Sequence, residues 1–133
     1  MKRVKGRVIS KGKATGEVLL SEVPVSFLGS INPVTGVVVE EGHPLKGKCV
    51  AGKVLVFPRG KGSTVSSYVL FQLKKNGKAP AAIINVESEV IVAVGAIISD
   101  IPMMDELEED PFKFLEDGCL ATVNADEGFV EIG

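Results

Sequence analysis

A glycine-rich turn between an apolar run and an amphipathic segment is the feature that most constrains the fold. Val54–Phe57 is an uninterrupted apolar run, which is typical of a buried strand. Residues 59–64 (RGKGST, the glycine loop) follow it, and residues 64–75 carry an apolar stripe at helical spacing before an Asn-Gly stop. Residues 81–86 form a second apolar run without alternation. The order strand, turn, helix, strand predicts a β–α–β unit with buried parallel strands.

Further strands are predicted from alternating or continuous apolar residues elsewhere in the chain. They cover residues 2–8, 16–20, 37–40, 96–98, 119–123 and 129–132, the last two as a closing hairpin. Residues 88–95 fit a strand by their β-branched content and a helix by their Ser88 start and Gly95 stop. We prefer the helix, because a strand that ends at residue 86 leaves little room for a turn. The prediction is a β-rich α/β chain that forms a single domain over residues 1–133.

Three polar segments are predicted to lie outside these elements. Residues 27–36 form a long loop dense in turn formers, and long loops in small domains are often functional. His43, in the turn at residues 41–45, is interpreted as a surface turn residue rather than as a base. Residues 105–110 are predicted to be an acidic surface segment that ends at Pro111.

Composition excludes several classes of function. A formal net charge of -2, no tryptophan and one tyrosine argue against a nucleic-acid binder. Cys49 and Cys119 lack metal-ligand spacing, so they are predicted to be buried free thiols rather than ligands of a metal. The chain shows neither an apolar signal region nor a membrane-spanning run, which predicts a soluble, cytoplasmic protein. Its 45% hydrophobic content is enough for a core and for an apolar face that meets a partner.

The glycine loop has the chemistry of an anion site. Its glycines allow close backbone approach, and the first amides of the following helix point at whatever lies above the turn. Arg59 and Lys61 add positive charge, and Ser63 places one hydroxyl there. Ser63 is either the N-cap of the helix or a reacting group.

Two nucleotide-binding motifs fit the glycine loop less well. A P-loop needs its lysine next to the hydroxyl residue, whereas here Gly62 separates Lys61 from Ser63. A dinucleotide fingerprint needs a third glycine, and that position holds Val65. We discard the first motif and regard the second as a weak signal.

The chain resembles the small subunits of the aconitase X family over most of its length. The matching stretches are residues 27–36, 43–45, 52–63, 76–83 and 95–97, in that order. The most specific of them contains the glycine loop. Two positions depart from the family pattern: Ser30 stands in place of a glycine and Asn32 in place of an acidic residue.

The resemblance implies a swivelling β/β/α domain that closes over an active site shared with a large subunit in a heterodimer. That subunit would carry the iron–sulfur (4Fe-4S) cluster, whose iron acts as a Lewis acid. Ser63 would be the catalytic base, and Arg59, Lys61, Gly62 and Thr64 would bind a small anionic substrate. The reaction implied is dehydration of (R)-5-phosphomevalonate to trans-anhydromevalonate 5-phosphate, in the archaeal mevalonate route to isoprenoids. The alternatives are a dehydratase of a hydroxyproline-like substrate and a non-catalytic binding or regulatory domain.

Overall fold

A mixed β-sheet with helices against it is the architecture of the computed structural model, which describes residues 2–61 and 64–132. The strands are β1 (Lys2–Lys5), β2 (Arg7–Ser10), β3 (Lys13–Leu20), β4 (Val54–Phe57), β5 (Ala82–Asn85), β6 (Met103–Asp105), β7 (Leu120–Asn124) and β8 (Phe129–Ile132). The helices are α1 (Phe27–Ser30), α2 (Val65–Lys75), α3 (Val90–Ile98) and α4 (Pro111–Phe114).

The sheet is parallel at its centre and antiparallel at its flanks. Among the described residues the strand order is β1-β8-β7-β3-β4-β5-β6-β2. β3, β4, β5 and β6 pair in parallel, and the remaining neighbours pair antiparallel. The predicted α/β class and the parallel β4–α2–β5 unit are therefore confirmed. Because parallel strands point the same way, the carboxyl ends of β3, β4 and β5 meet at one edge of the sheet.

The central strands have no solvent-facing side, which explains their continuous apolar sequences. Alternate residues point to opposite faces of the sheet and join two separate apolar clusters. The cluster under the helices contains Leu55, Phe57, Ile83, Leu70, Leu73 and Val92. The cluster on the opposite face contains Val54, Val56, Ile84, Val123, Val130 and Leu115.

Residues 2–8 are two strands with different partners rather than the single strand predicted. β1 pairs with β8 and β2 pairs with β6, so the chain changes partner at Gly6. A Cβ at Gly6 would lie 3.0 Å from the carbonyl oxygen of Asp105 and 2.3 Å from Leu107 Cδ2. Glycine is required at this position because the backbone of Gly6 passes too close to Asp105 and Leu107 to leave room for a Cβ atom.

The strand predicted at residues 37–40 is wrong. Val37 and Val38 make only isolated bridges, to Cys49 and Ile31 respectively. Turns before and after this segment leave too little extended chain for a ladder.

The segment after residue 88 is helical for longer than predicted. The helix expected at residues 88–95 is confirmed as α3, but residues 96–98, predicted as a strand, form its last turn. The amide of Ser99 still donates to the carbonyl of Gly95 at 3.1 Å. Packing against the sheet outweighs the β-propensity of Ile97 and Ile98, and the strand follows later as β6.

Three polar or thiol side chains differ in exposure from the predictions. His43 is buried, because its Nδ1 accepts the amide of Leu45 at 3.1 Å and folds the ring into its own turn. Cys49 and Cys119 are free thiols as predicted, but both are half-buried rather than fully buried.

Asp105 is fully buried, which corrects the prediction of an acidic surface segment beginning at this residue. Its carboxylate accepts two hydrogen bonds from Arg7, at 2.8 and 2.7 Å, and one from the Ser88 amide at 2.7 Å. The ion pair ties β2 to β6 and fixes the segment that enters α3. A polar group can be buried here because every bond it makes is charge-assisted.

The pKa of Asp105 lies below its ordinary value. Burial of the carboxyl group acts to raise the pKa, but the hydrogen bonds from Arg7 and the Ser88 amide outweigh burial and lower it. The contribution of Asp105 to stability is therefore complete above the unfolded-state pKa of about 3.9 and is lost as the pH falls through the lower folded-state value.

We predict that Asp105→Asn lowers the free energy of unfolding by about 2 kcal/mol at pH 7, because the guanidinium of Arg7 loses its buried partner. Urea unfolding followed by circular dichroism measures the change. The difference between the two proteins should begin to shrink as the pH falls below about 3.9, where the unfolded carboxyl protonates, and should disappear only below the lower folded-state pKa.

Glu106→Gln is the matched control for this prediction. Glu106 contacts the same Arg7 Nη2 at 2.8 Å, but its side chain is exposed. Its removal should cost less than about 0.5 kcal/mol. Equal losses in the two variants would show that the pairing of Arg7 with buried Asp105 has no special role in stability.

Candidate active site

The glycine loop lies at the carboxyl edge of the parallel strands, where ligands bind in open α/β sheets. It leaves the end of β4 and enters α2. Arg59, Lys61 and Thr64 are exposed there. Gly62, predicted to bind substrate, and Ser63, predicted to be the base, lie outside the described residues.

Val25 holds the backbone of the first half of the loop. Its amide donates to the carbonyl of Arg59 at 3.4 Å, and its carbonyl accepts the amide of Lys61 at 3.2 Å. Gly60 lies between them in a parallel bridge with Val25. The backbone is thus fixed as a short added strand, while the two cationic side chains face outward.

Asn85, at the end of β5, fixes the point where the chain leaves β4. It is fully buried, and its Nδ2 donates to the carbonyl of Phe57 at 3.1 Å. One residue later, the Val86 amide donates to the carbonyl of Pro58 at 3.0 Å. The Oδ1 atom of Asn85 is buried and has no hydrogen-bond partner in the described part of the chain. Asn85 was not among the predicted site residues, although a polar side chain at the end of an apolar run is a detectable signal.

The first turn of α3 packs against the loop at Gly60. A Cβ at this position would lie 2.4 Å from Val92 Cγ2, and Val92 is itself buried. Gly60 is therefore required by the close approach of α3.

The two helices that begin at this edge differ in the charge at their N-termini. Glu89 caps α3, and its carboxylate accepts the amides of Ile91 and Val92 at 2.9 and 3.3 Å. In α2 the capping position belongs to Thr64, whose side chain makes no capping bond among the described residues, and the first turn holds no acidic residue. The positive end of the α2 dipole is thus free of a built-in carboxylate, which suits an external anion.

Ser63 lies outside the described residues, so its two predicted roles, N-cap or reacting group, both stay predictions. Thr64, the residue before α2, already has the helical backbone angles φ -56° and ψ -23°.

The segment at residues 27–36, predicted to be a loop, begins with the short, kinked α1 and runs to the far end of α2. The Asn76 side chain, at the end of α2, donates to the carbonyl of Pro33 at 2.8 Å, so residues 33–36 lie at the opposite end of that helix. Both unusual residues in the loop make local contacts. Ser30 donates to the Glu40 carboxylate, and Asn32 Oδ1 accepts the Val34 amide at 2.8 Å.

The described residues supply no metal centre. Within residues 2–61 and 64–132, no group of three or more His, Cys, Asp or Glu side chains could hold a metal ion. No helix in the described ranges is long and apolar enough to cross a membrane. A cavity of about 560 Å³ lies over β7 and β8, where Phe114, Cys119 and Ile132 are among the described residues that line it.

The mixed sheet, with its β4–α2–β5 and β5–α3–β6 crossovers and the glycine loop at the carboxyl edge, defines an α/β fold. The family model described as the aconitase X swivel domain matches residues 3–132. The chain belongs to this family.

Relatives and solved structures agree with the family assignment. A protein of Methanosarcina mazei named phosphomevalonate dehydratase small subunit is 65% identical over 130 residues, covering 98% of this chain and 90% of that protein. The crystal structure of Thermococcus kodakaraensis aconitase X in its holo-form matches with a TM-score of 0.94 at 54% identity, covering 100% of this chain and 99% of that chain. A further protein, solved by NMR in solution, matches with a TM-score of 0.90 at 48% identity, with 99% of each chain covered.

We predict that Gly60→Ala lowers the free energy of unfolding by about 1–3 kcal/mol, because the new methyl group overlaps Val92. Val92 cannot yield easily, since it is a stiff β-branched residue in a packed helix. Urea unfolding measures the loss.

The double variant Gly60→Ala, Val92→Ala tests the cause of this loss. Val92→Ala alone should cost about 2 kcal/mol through the cavity it leaves. If the overlap is the cause, the double variant loses clearly less than the sum of the two single variants. Additive losses would place the origin of the effect elsewhere.

Proposed function

We propose that this chain is the small subunit of a hydro-lyase that dehydrates (R)-5-phosphomevalonate to trans-anhydromevalonate 5-phosphate. The observation that carries the proposal is full-length similarity to proteins named phosphomevalonate dehydratase small subunit, at 65% identity in Methanosarcina mazei and 55% in Thermococcus kodakarensis. The cationic glycine loop supports it, because the substrate carries both a carboxylate and a phosphate.

The substrate's anionic groups bind at the start of α2. Arg59 and Lys61 supply charge-assisted hydrogen bonds from outward-facing side chains on a fixed backbone. Gly62 and Thr64 complete the binding loop, with Gly62 allowing close approach of the backbone to the anion. The helix dipole adds a positive potential, and the first turn of α2 holds no acidic residue.

Ser63 is the base that takes the proton from the carbon next to the carboxylate. Its alkoxide becomes a neutral hydroxyl, the C–H electron pair forms the double bond, and the neighbouring carbon loses its hydroxyl group as hydroxide with the C–O electron pair. The proton taken by Ser63 and the hydroxide leave together as water, which restores the alkoxide. A serine alkoxide is strongly basic, so it needs stabilisation by Lys61, Arg59 and the α2 dipole in a site from which water is excluded.

The large subunit of the heterodimer completes the site. It would hold the iron–sulfur cluster, and the chemistry that this group would supply is Lewis-acid polarisation of the departing hydroxyl group. The name small subunit, which the relatives carry, supports the presence of a second, larger subunit.

We predict that Ser63→Ala lowers kcat of the reconstituted pair by at least about 10³-fold, because the general base is lost. Binding of the large subunit should not change. Ser99→Ala is the control, since it removes another hydroxyl at the far end of α3. A Ser63→Ala enzyme with near-normal kcat would exclude Ser63 as the base.

The function itself is tested by purifying the chain alone and with the large subunit of the same organism. We expect the isolated chain to be colourless and inactive, and the pair to consume (R)-5-phosphomevalonate but not a hydroxyproline. Product formation is followed by NMR of the new vinyl proton. Turnover of a hydroxyproline instead would show that phosphomevalonate is not the substrate. Turnover by the isolated chain would contradict the two-subunit proposal.

A further inference from the structure

Four exposed valines surround the glycine loop, and we call them the valine rim: Val23, Val65, Val86 and Val90. Val90 is 74% exposed, and the other three are between 40% and 45% exposed. Each follows the carboxyl end of a parallel strand: Val23 follows β3, Val65 opens α2 after β4, and Val86 and Val90 follow β5. Topology therefore brings them to the same edge of the sheet as the loop.

Backbone contacts confirm that the rim lies beside the loop. Val23 is two residues before Val25, which bridges Gly60. The amide of Val86 donates a hydrogen bond to the carbonyl of Pro58, the residue that precedes the loop. Val90 belongs to the turn of α3 that packs on Gly60 through Val92.

The apolar surface continues from the rim along α3. The helix contains no charged or polar side chain between residues 90 and 98, and Val94 and Ile97 remain exposed on the same outward side as Val90. A helix that is apolar all round is expected to be buried. A stable interface covers roughly 800 Å² on each partner, more than four valines provide, and this stripe extends the available area.

We propose that the valine rim, with the outward stripe of α3, is the docking surface for the large subunit. This inference rests on the proposed function, because it takes its occupant from the two-subunit enzyme. A partner that completes a reaction at Arg59 and Lys61 has to cross the rim to reach them. The contact would also exclude water from the loop, which strengthens the electrostatic effect of both cations.

A second copy of this chain fits the rim less well. A twofold interface would use the same patch on both copies and would bring Arg59 and Lys61 towards their own equivalents. Two like-charged loops would then face each other in a poorly solvated contact, which is unfavourable.

The test compares two valine-to-aspartate variants of similar exposure at opposite ends of α2. Val90→Asp places a charge in the rim, whereas Val34→Asp places it next to Pro33, at the far end of the helix. Val34 is 68% exposed, against 74% for Val90. Isothermal titration calorimetry with the large subunit should give a Kd at least about tenfold higher for Val90→Asp and within about twofold of wild type for Val34→Asp. Val90→Ile should bind like wild type.

Thermal unfolding of the isolated variants separates docking from folding. Val86→Lys, a second exposed rim position, replaces Val90→Asp if that variant unfolds early, and the same loss of affinity is expected. Unchanged affinity in the rim variants, or equal losses at Val90 and Val34, would overturn the inference. Self-association of the wild-type chain that Val90→Asp abolishes would also overturn it, by making a second copy the occupant.

Activity assays distinguish failure of the inference from failure of the proposed function. A pair that assembles through the rim but does not dehydrate phosphomevalonate supports the docking surface and refutes the function. A pair that dehydrates phosphomevalonate with a rim variant at wild-type affinity refutes only the docking surface. A large subunit that does not bind the wild-type chain at all refutes both.

Discussion

The parallel pairing of β4 with β5 is the constraint on which the rest of the site depends. It sets Phe57 opposite Asn85, so the two strands end at the same level of the sheet. The Asn85 side chain and the Val86 amide then hold the carbonyls of Phe57 and Pro58. From this fixed exit the loop can form its bridge to Val25 and receive α3 at Gly60. A change of register would move the cations away from the start of α2.

Two helices begin at this edge, and their different caps give them different roles. Glu89 neutralises the start of α3, so that helix can approach the loop closely and present apolar residues outward. α2 has no such carboxylate in its first turn, so its dipole acts together with Arg59 and Lys61. A chain with a formal net charge of -2 therefore presents a local positive potential where an anionic substrate is proposed to bind.

Local signals in the sequence predict the central β–α–β unit well. The features that they do not predict depend on pairings between distant parts of the chain. Apolar runs and an Asn-Gly stop located β4, β5 and α2 to within one or two residues. The switch of partner at Gly6 and the burial of Asp105 depend on pairings between distant parts of the chain, which no local pattern encodes. Arg7 and Asp105, for example, are 98 positions apart. At the site, Arg59, Lys61 and Thr64 were placed correctly at the entry to α2, while their roles in binding stay predictions. Val25 was not predicted because it acts through backbone hydrogen bonds to residues distant in sequence. Glu89 was not predicted because its role is to cap α3.

In the proposed reaction the glycine loop brings the catalytic base to a substrate held between two subunits. The decisive measurement is a structure of the assembled pair with bound (R)-5-phosphomevalonate. We expect Ser63 Oγ within about 3.5 Å of the carbon that loses its proton, with Arg59 or Lys61 on the carboxylate or phosphate. A substrate enclosed by the large subunit alone, with the Ser63 oxygen turned away from it, would refute the proposed role of the loop.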